Sequence, residues 1–207
     1  MSVDIEKHRY AIEKCLNILS AFIYIVFAAT FAKDLIHNHR LSSFFPVVMV
    51  SFFVYFFLIR DLPRQLNLSP YDWLISLNGT FLPLCLRPAP LLHDSFALII
   101  LQSVGVCVSM AGILSLNKSI GLAPANRGIK TFWAYKYVRH PIYAGYFISL
   151  GAYCAQNLTA VNVIVTLLWM TCESLRMFAE EKYLSADDPA YVAYMKKVRW
   201  RLVPYVF

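Results

Sequence analysis

Six apolar runs, parted by short polar breaks, dictate what this chain can become. Ile12 to Leu35 and Phe44 to Ile59 come first. Trp73 to Leu92 and Phe96 to Leu116 follow, then Ile142 to Gln156 and Ala160 to Phe178. At ~1.5 Å per residue, a helix of about 20 apolar residues matches a hydrocarbon core ~30 Å thick. Without water, backbone N–H and C=O groups must pair within their own segment, so such runs form helices. The expected fold is therefore all-α, a polytopic transmembrane helical bundle.

Composition agrees. Of the 207 residues, 59% are hydrophobic and 15% charged, against about 45–50% and about 25% in soluble domains. No soluble basic cluster exists to hold nucleic acid, so the net charge of +7 reads as membrane topology and no nucleic-acid partner is expected. Cys15, Cys85, Cys107, Cys154 and Cys172 are scattered, with no Cys-x-x-Cys pair or metal spacing, and His37 and His39 have no nearby carboxylate or cysteine. We expect no bound metal. Residues 1–11 lack the pattern of a cleaved signal.

The third run is the weakest, broken by Asn78-Gly79-Thr80, Pro83, Arg87, Pro88 and Pro90. It reads as one irregular span or a re-entrant piece, giving about six crossings, or five if 73–92 is re-entrant. In the fourth run, Gly105, Ser109 and Gly112 recur every three to four residues and make one smooth face for close helix packing. Six crossings place 16 of the 19 Lys and Arg on the side that bears both termini, leaving Lys33, Arg40 and Arg87 opposite. Because cytoplasmic loops collect such residues, both termini are expected in the cytoplasm. Nothing names the membrane; bacterial inner membrane and endoplasmic reticulum both fit. Residues 1–207 read as one membrane-embedded domain: amino-terminal spans over 1–116, then a loop, a helical hairpin and an amphipathic tail over 117–207. Asn157-Leu-Thr159 formally fits a glycosylation acceptor, in a turn close to the membrane.

Two charged clusters flank that hairpin. Tyr135-Lys-Tyr-Val-Arg139-His140-Pro141-Ile-Tyr143-Ala-Gly145 enters it, and Arg176-Met-Phe-Ala-Glu180-Glu181 leaves it. Pro141 suits the first helical position and puts His140 at the cap, where free N–H groups attract anions. Arg176 and Glu180 are four apart and share a helix face, with Glu173 a turn earlier. From the residues alone, two readings stand. One is a membrane-edge arginine with a capping histidine and an exposed acidic pair. The other is a pocket at the cytoplasmic face that holds a zwitterionic ligand, its carboxylate on Arg139 or His140 and its cationic group on glutamate.

The three motifs Tyr135 to Gly145, Arg176 to Leu184 and Tyr191 to Val198, with Pro204, resemble the isoprenylcysteine carboxyl methyltransferases and the wider membrane phospholipid-methyltransferase group. The likeness covers Ser119 to Pro204, about 40% of the chain. It implies S-adenosyl-L-methionine as methyl donor and a lipophilic acceptor delivered from the lipid bilayer. Carried over, Tyr137, Arg139, His140, Pro141, Tyr143, Glu181 and Tyr194 would bind the cofactor, and Arg176 and Glu180 would act at the acceptor. The acceptor group, whether carboxylate, amine or thiol, stays open, as does a transporter or sensor without catalysis. Where relatives often carry Gly-Pro before the first Tyr-x-Tyr, this chain has Trp133-Ala134.

Overall fold

A computed structural model of the chain describes residues 2–59, 69–89, 93–116, 119 and 129–207, the stretch 2–13 by its backbone only. Among the described residues the α-helices are α1 (Ser2–Asn38), α2 (Phe44–Ile59), α3 (Pro70–Phe81), α4 (Phe96–Leu116), α5 (Pro141–Gln156), α6 (Ala160–Asp187) and α7 (Pro189–Lys197). Short 3-10 turns cover Leu41–Ser43, Leu82–Cys85 and Trp133–Lys136, and no strand is present among these residues. Arg60 and Arg64, and Lys118 and Arg127 of the long connection, lie outside the described residues.

Among the described residues, four helical stretches are long and apolar enough to cross a membrane: Lys14–Asn38, Leu41–Ile59, Phe96–Leu116 and Ala160–Asp187. The other two runs make shorter elements. α3 has 12 residues and ends at Phe81; Pro83 tightens the next turn into a 3-10 helix and Leu86 is extended. α5 has 16 residues, about 24 Å. Helix α6 runs nine residues past Phe178, where the apolar run stops. The reason is tertiary: Glu180 and Glu181 find partners on α5 and in the tail, so the helix continues.

The contacts fix directions. On α6, Trp169 and Glu173 face Gly79 of α3, while Asn162 holds the backbone of Arg87 through both its N–H and its C=O. α3 and its extension therefore run antiparallel to α6. α4 and α5 cross through small residues. A Cβ on Gly105 would stand 2.5 Å from the Ser149 nitrogen, and one on Gly112 would stand 2.7 Å from Ile142 Cγ1. Gly145 likewise lies directly on Gly105 and Ser109. The smooth face read from the sequence thus has α5 as its partner.

One end of the bundle is closed by a buried polar network. Arg40 donates to Ala89 O (2.9 Å), Asn157 Oδ1 (2.7 Å) and Asp94 Oδ1 (3.0 Å). Asp94 also accepts from the Ser42 N–H at 2.8 Å, and Gln102 bridges Ser42 O to Gln156. Burial on its own would raise the Asp94 carboxyl. The Ser42 N–H and the Arg40 guanidinium outweigh it and hold the group below the usual carboxylate range. Asn157 is fully buried in this network, which rules out the formal glycosylation reading of Asn157-Leu-Thr159. The sequence motifs lie at the opposite end.

Candidate functional site

Pro141 begins α5, as its fixed φ favours. His140 occupies the N-cap, but its side chain makes no capping bond. Its ring lies 3.1 Å from Glu181 Oε1 instead. The same oxygen accepts from Arg139 Nε at 2.7 Å, and Glu181 Oε2 accepts from Arg201 Nε at 3.0 Å. Arg139 also donates to the carbonyls of Val198 and Arg199, both at 3.0 Å. The backbone joins in: the N–H groups of Arg139 and His140 donate to Trp200 O and Arg201 O, each at 2.9 Å. Arg139 and Glu181 are both nearly inaccessible. They lock the start of α5, the end of α6 and the tail into one unit.

Beside this lock opens a cavity of about 200 Å³. Of the residues singled out in the sequence, Arg139, His140, Tyr143, Arg176, Glu180 and Tyr194 line it. Pro141 and Glu181 stand behind the wall, buried. Tyr137 is 70% exposed and is not among the lining residues. Trp133 holds φ +54°, a left-handed conformation that favours glycine.

Around the mouth, Tyr135, Tyr191 and Tyr194 present three rings. Burial raises their hydroxyl pKa values well above the ordinary tyrosine value. They are neutral donors at physiological pH, and Tyr194 uses its proton on Tyr135 O at 2.8 Å. A step inward, Tyr143 donates to Glu180 Oε2 at 2.9 Å and the Arg176 guanidinium lies 5.8 Å over its ring. Arg176 donates to Glu173 Oε1 at 3.2 Å and reaches Thr80 Oγ1 at 3.5 Å. Glu173, Arg176 and Glu180, aligned on one stripe in the sequence, thus lie along one wall.

The deep part comes from residues that sequence reasoning passed over. Tyr24 of α1, Phe53 and Phe57 of α2, Gly79 and Thr80 of α3, Tyr146 of α5 and Trp169 of α6 all line it. One signal pointed there: Asn78-Gly79-Thr80 interrupts an apolar run. Its reason is now physical, since a Cβ at Gly79 would overlap the Glu173 carboxylate. Comparison with family models and with curated proteins finds no match to this chain.

Proposed function

We propose that this protein transfers a methyl group from S-adenosylmethionine to a lipophilic acceptor that enters from the membrane. In this reading residues 1–207 form one domain of six crossings, with α3 and its extension and α5 as the two short ones. Both termini and the cavity mouth face the cytoplasm of a bacterial or endoplasmic-reticulum membrane. The observation that carries the proposal is one cavity lined both by charged groups and tyrosines from the start of α5, the turn before it and α7, and by aromatic side chains from α1, α2, α5 and α6. A water-soluble donor and an apolar acceptor need such a meeting place.

The residues fit the cofactor by chemistry. Arg139, His140 and Lys130 supply cationic or donor groups for its carboxylate, Glu180 suits its ammonium, and the three mouth tyrosines offer stacking faces. When bound, the cofactor supplies an electrophilic methyl group on a sulfonium. Arg176 orients the acceptor, and Glu180, held by Tyr143, fixes Arg176 or takes a proton from an amine or thiol. Glu181 contributes at one remove, by setting Arg139 and His140.

Two measurements test this. Calorimetry in detergent should show S-adenosylmethionine binding; a folded preparation that binds none at millimolar cofactor defeats the proposal. Labelled methyl transfer into a total lipid and small-molecule extract should then identify the product as carboxylate ester, methylated amine or thioether. Replacement of Glu180 by Gln should lower turnover at least roughly 100-fold if it moves a proton, with the melting temperature little changed.

A further inference from the structure

Glu173 is the least expected group in the molecule. It is 1% exposed, and in apolar surroundings a carboxylate needs partners. Its Oε1 has Arg176, but Oε2 has no hydrogen-bond partner among the described residues. Gly79 leaves room for this carboxylate at the cavity wall.

The surroundings form a closed ring. Tyr24 and Phe53 have centroids 5.7 Å apart, Phe53 and Tyr146 5.5 Å, and Tyr146 and Trp169 6.2 Å. Trp169 donates to Gly79 O at 3.0 Å, and Tyr24 donates to Thr80 O at 2.7 Å, which closes the ring through α3. Every member lines the cavity together with Glu173. The indole N–H and the Tyr24 hydroxyl are thereby committed to backbone, leaving aromatic surface to the interior.

Charge points the same way. The inner wall carries two carboxylates, Glu173 and Glu180, against the single guanidinium of Arg176. The cationic groups nearer the mouth, Arg139, His140 and Lys130, are the set that the cofactor carboxylate would take in the reading above, and Arg139 and His140 also touch Glu181. An anion placed beside Glu173 would meet repulsion. A neutral hydroxyl could donate to Oε2 but would leave the excess negative charge of this wall unopposed, whereas an ammonium does both.

We infer that Glu173 and the ring of Tyr24, Phe53, Tyr146 and Trp169 bind the ammonium group of a chain-bearing amine. Aromatic faces attract such a cation, and Oε2 accepts its N–H. The chain lies against the apolar lining of α2, at Met49, Val50 and Phe57. Given the methyl-transfer reading above, this amine is the acceptor once Glu180 has taken a proton from its ammonium. Its nitrogen would then form the bond to the methyl carbon as the carbon–sulfur bond breaks and the neutral thioether leaves. Binding of the amine does not depend on that reading.

The test uses the full chain in phosphatidylcholine nanodiscs, with radiolabelled dodecylamine as probe and empty discs subtracted. Unlabelled dodecylamine should compete at least about tenfold better than dodecanol or laurate. Methylammonium, which lacks the chain, should compete poorly. Glu173→Gln should reduce the amine preference about tenfold while leaving dodecanol competition unchanged. Laurate or dodecanol competing as well as the amine in the unsubstituted protein overturns the inference without any variant. So does an unchanged preference in a folded E173Q protein, and methylammonium matching dodecylamine overturns the requirement for a chain. Amine binding without S-adenosylmethionine binding would sink the methyltransferase reading alone, whereas cofactor binding without amine preference would sink this one alone.

Discussion

Glu180 and Glu181 are neighbours in sequence with different surroundings. One helical step of about 100° separates them. Glu181 turns toward Arg139, His140 and Arg201 and is buried; Glu180 turns to Tyr143 on the cavity wall. A helix-face argument places Glu180 with Arg176, yet it could not assign the partners of Glu181, which come from α5 and from the tail. Removing one member of a buried ion cluster leaves the rest uncompensated, typically at about 3–5 kcal/mol. Glu181→Gln should therefore lower the melting temperature in detergent in the absence of any ligand. An E181Q protein as stable as the unsubstituted one would mean that the lock contributes little to folding. Glu173 shows where residue-level reading stops: its depth in an apolar run was visible, but the unmatched oxygen and the space at Gly79 are not.

At the scale of elements, packing partners are the hidden quantity. Gly105, Ser109 and Gly112 announced a smooth face on α4, but only the folded chain pairs it with Gly145 and Ser149. Pairing depends on contacts distant in sequence, whereas the three-to-four-residue spacing is local. Gly145→Leu should force α4 and α5 apart and destabilise by about 2 kcal/mol or more, measurable as a lower thermal midpoint. Because His140 and Tyr143 sit on the first turn of α5, the same variant should weaken ligand binding at the cavity. The end of α6 illustrates the converse limit. Hydropathy falls at Phe178, so the apolar run ends there, while tertiary partners carry the helix on to Asp187.

Across the whole molecule, the all-helical build was legible because water exclusion leaves few alternatives. Among the described residues, four long apolar helices stand out at once. Two shorter elements fill the same bundle because the polar network at Arg40, Asp94 and Asn157 satisfies irregular backbone at one end. That network predicts a pH signature. Asp94 has a lowered pKa in the folded state, so its contribution to stability is complete above the unfolded value of about 3.9 and fades as pH falls through the folded one. The difference in melting temperature between the unsubstituted protein and Asp94→Asn should stay constant from about pH 5 to 7 and shrink below about pH 4. A difference that grew on acidification would contradict the assignment.

The lock on Arg139 also orders events in time. Its carbonyl partners at Val198 and Arg199 lie 59 and 60 residues downstream. At roughly 5–20 residues per second, a ribosome needs about 3–12 s to make that stretch. Throughout that interval α5 can enter the bundle, but the arginine at its start lacks the carbonyls that will hold it. The mouth of the cavity thus takes shape only after Val198 and Arg199 have been made, well after α5 itself. A released chain that stopped near residue 190 would carry the aromatic interior without the Tyr191 and Tyr194 rim.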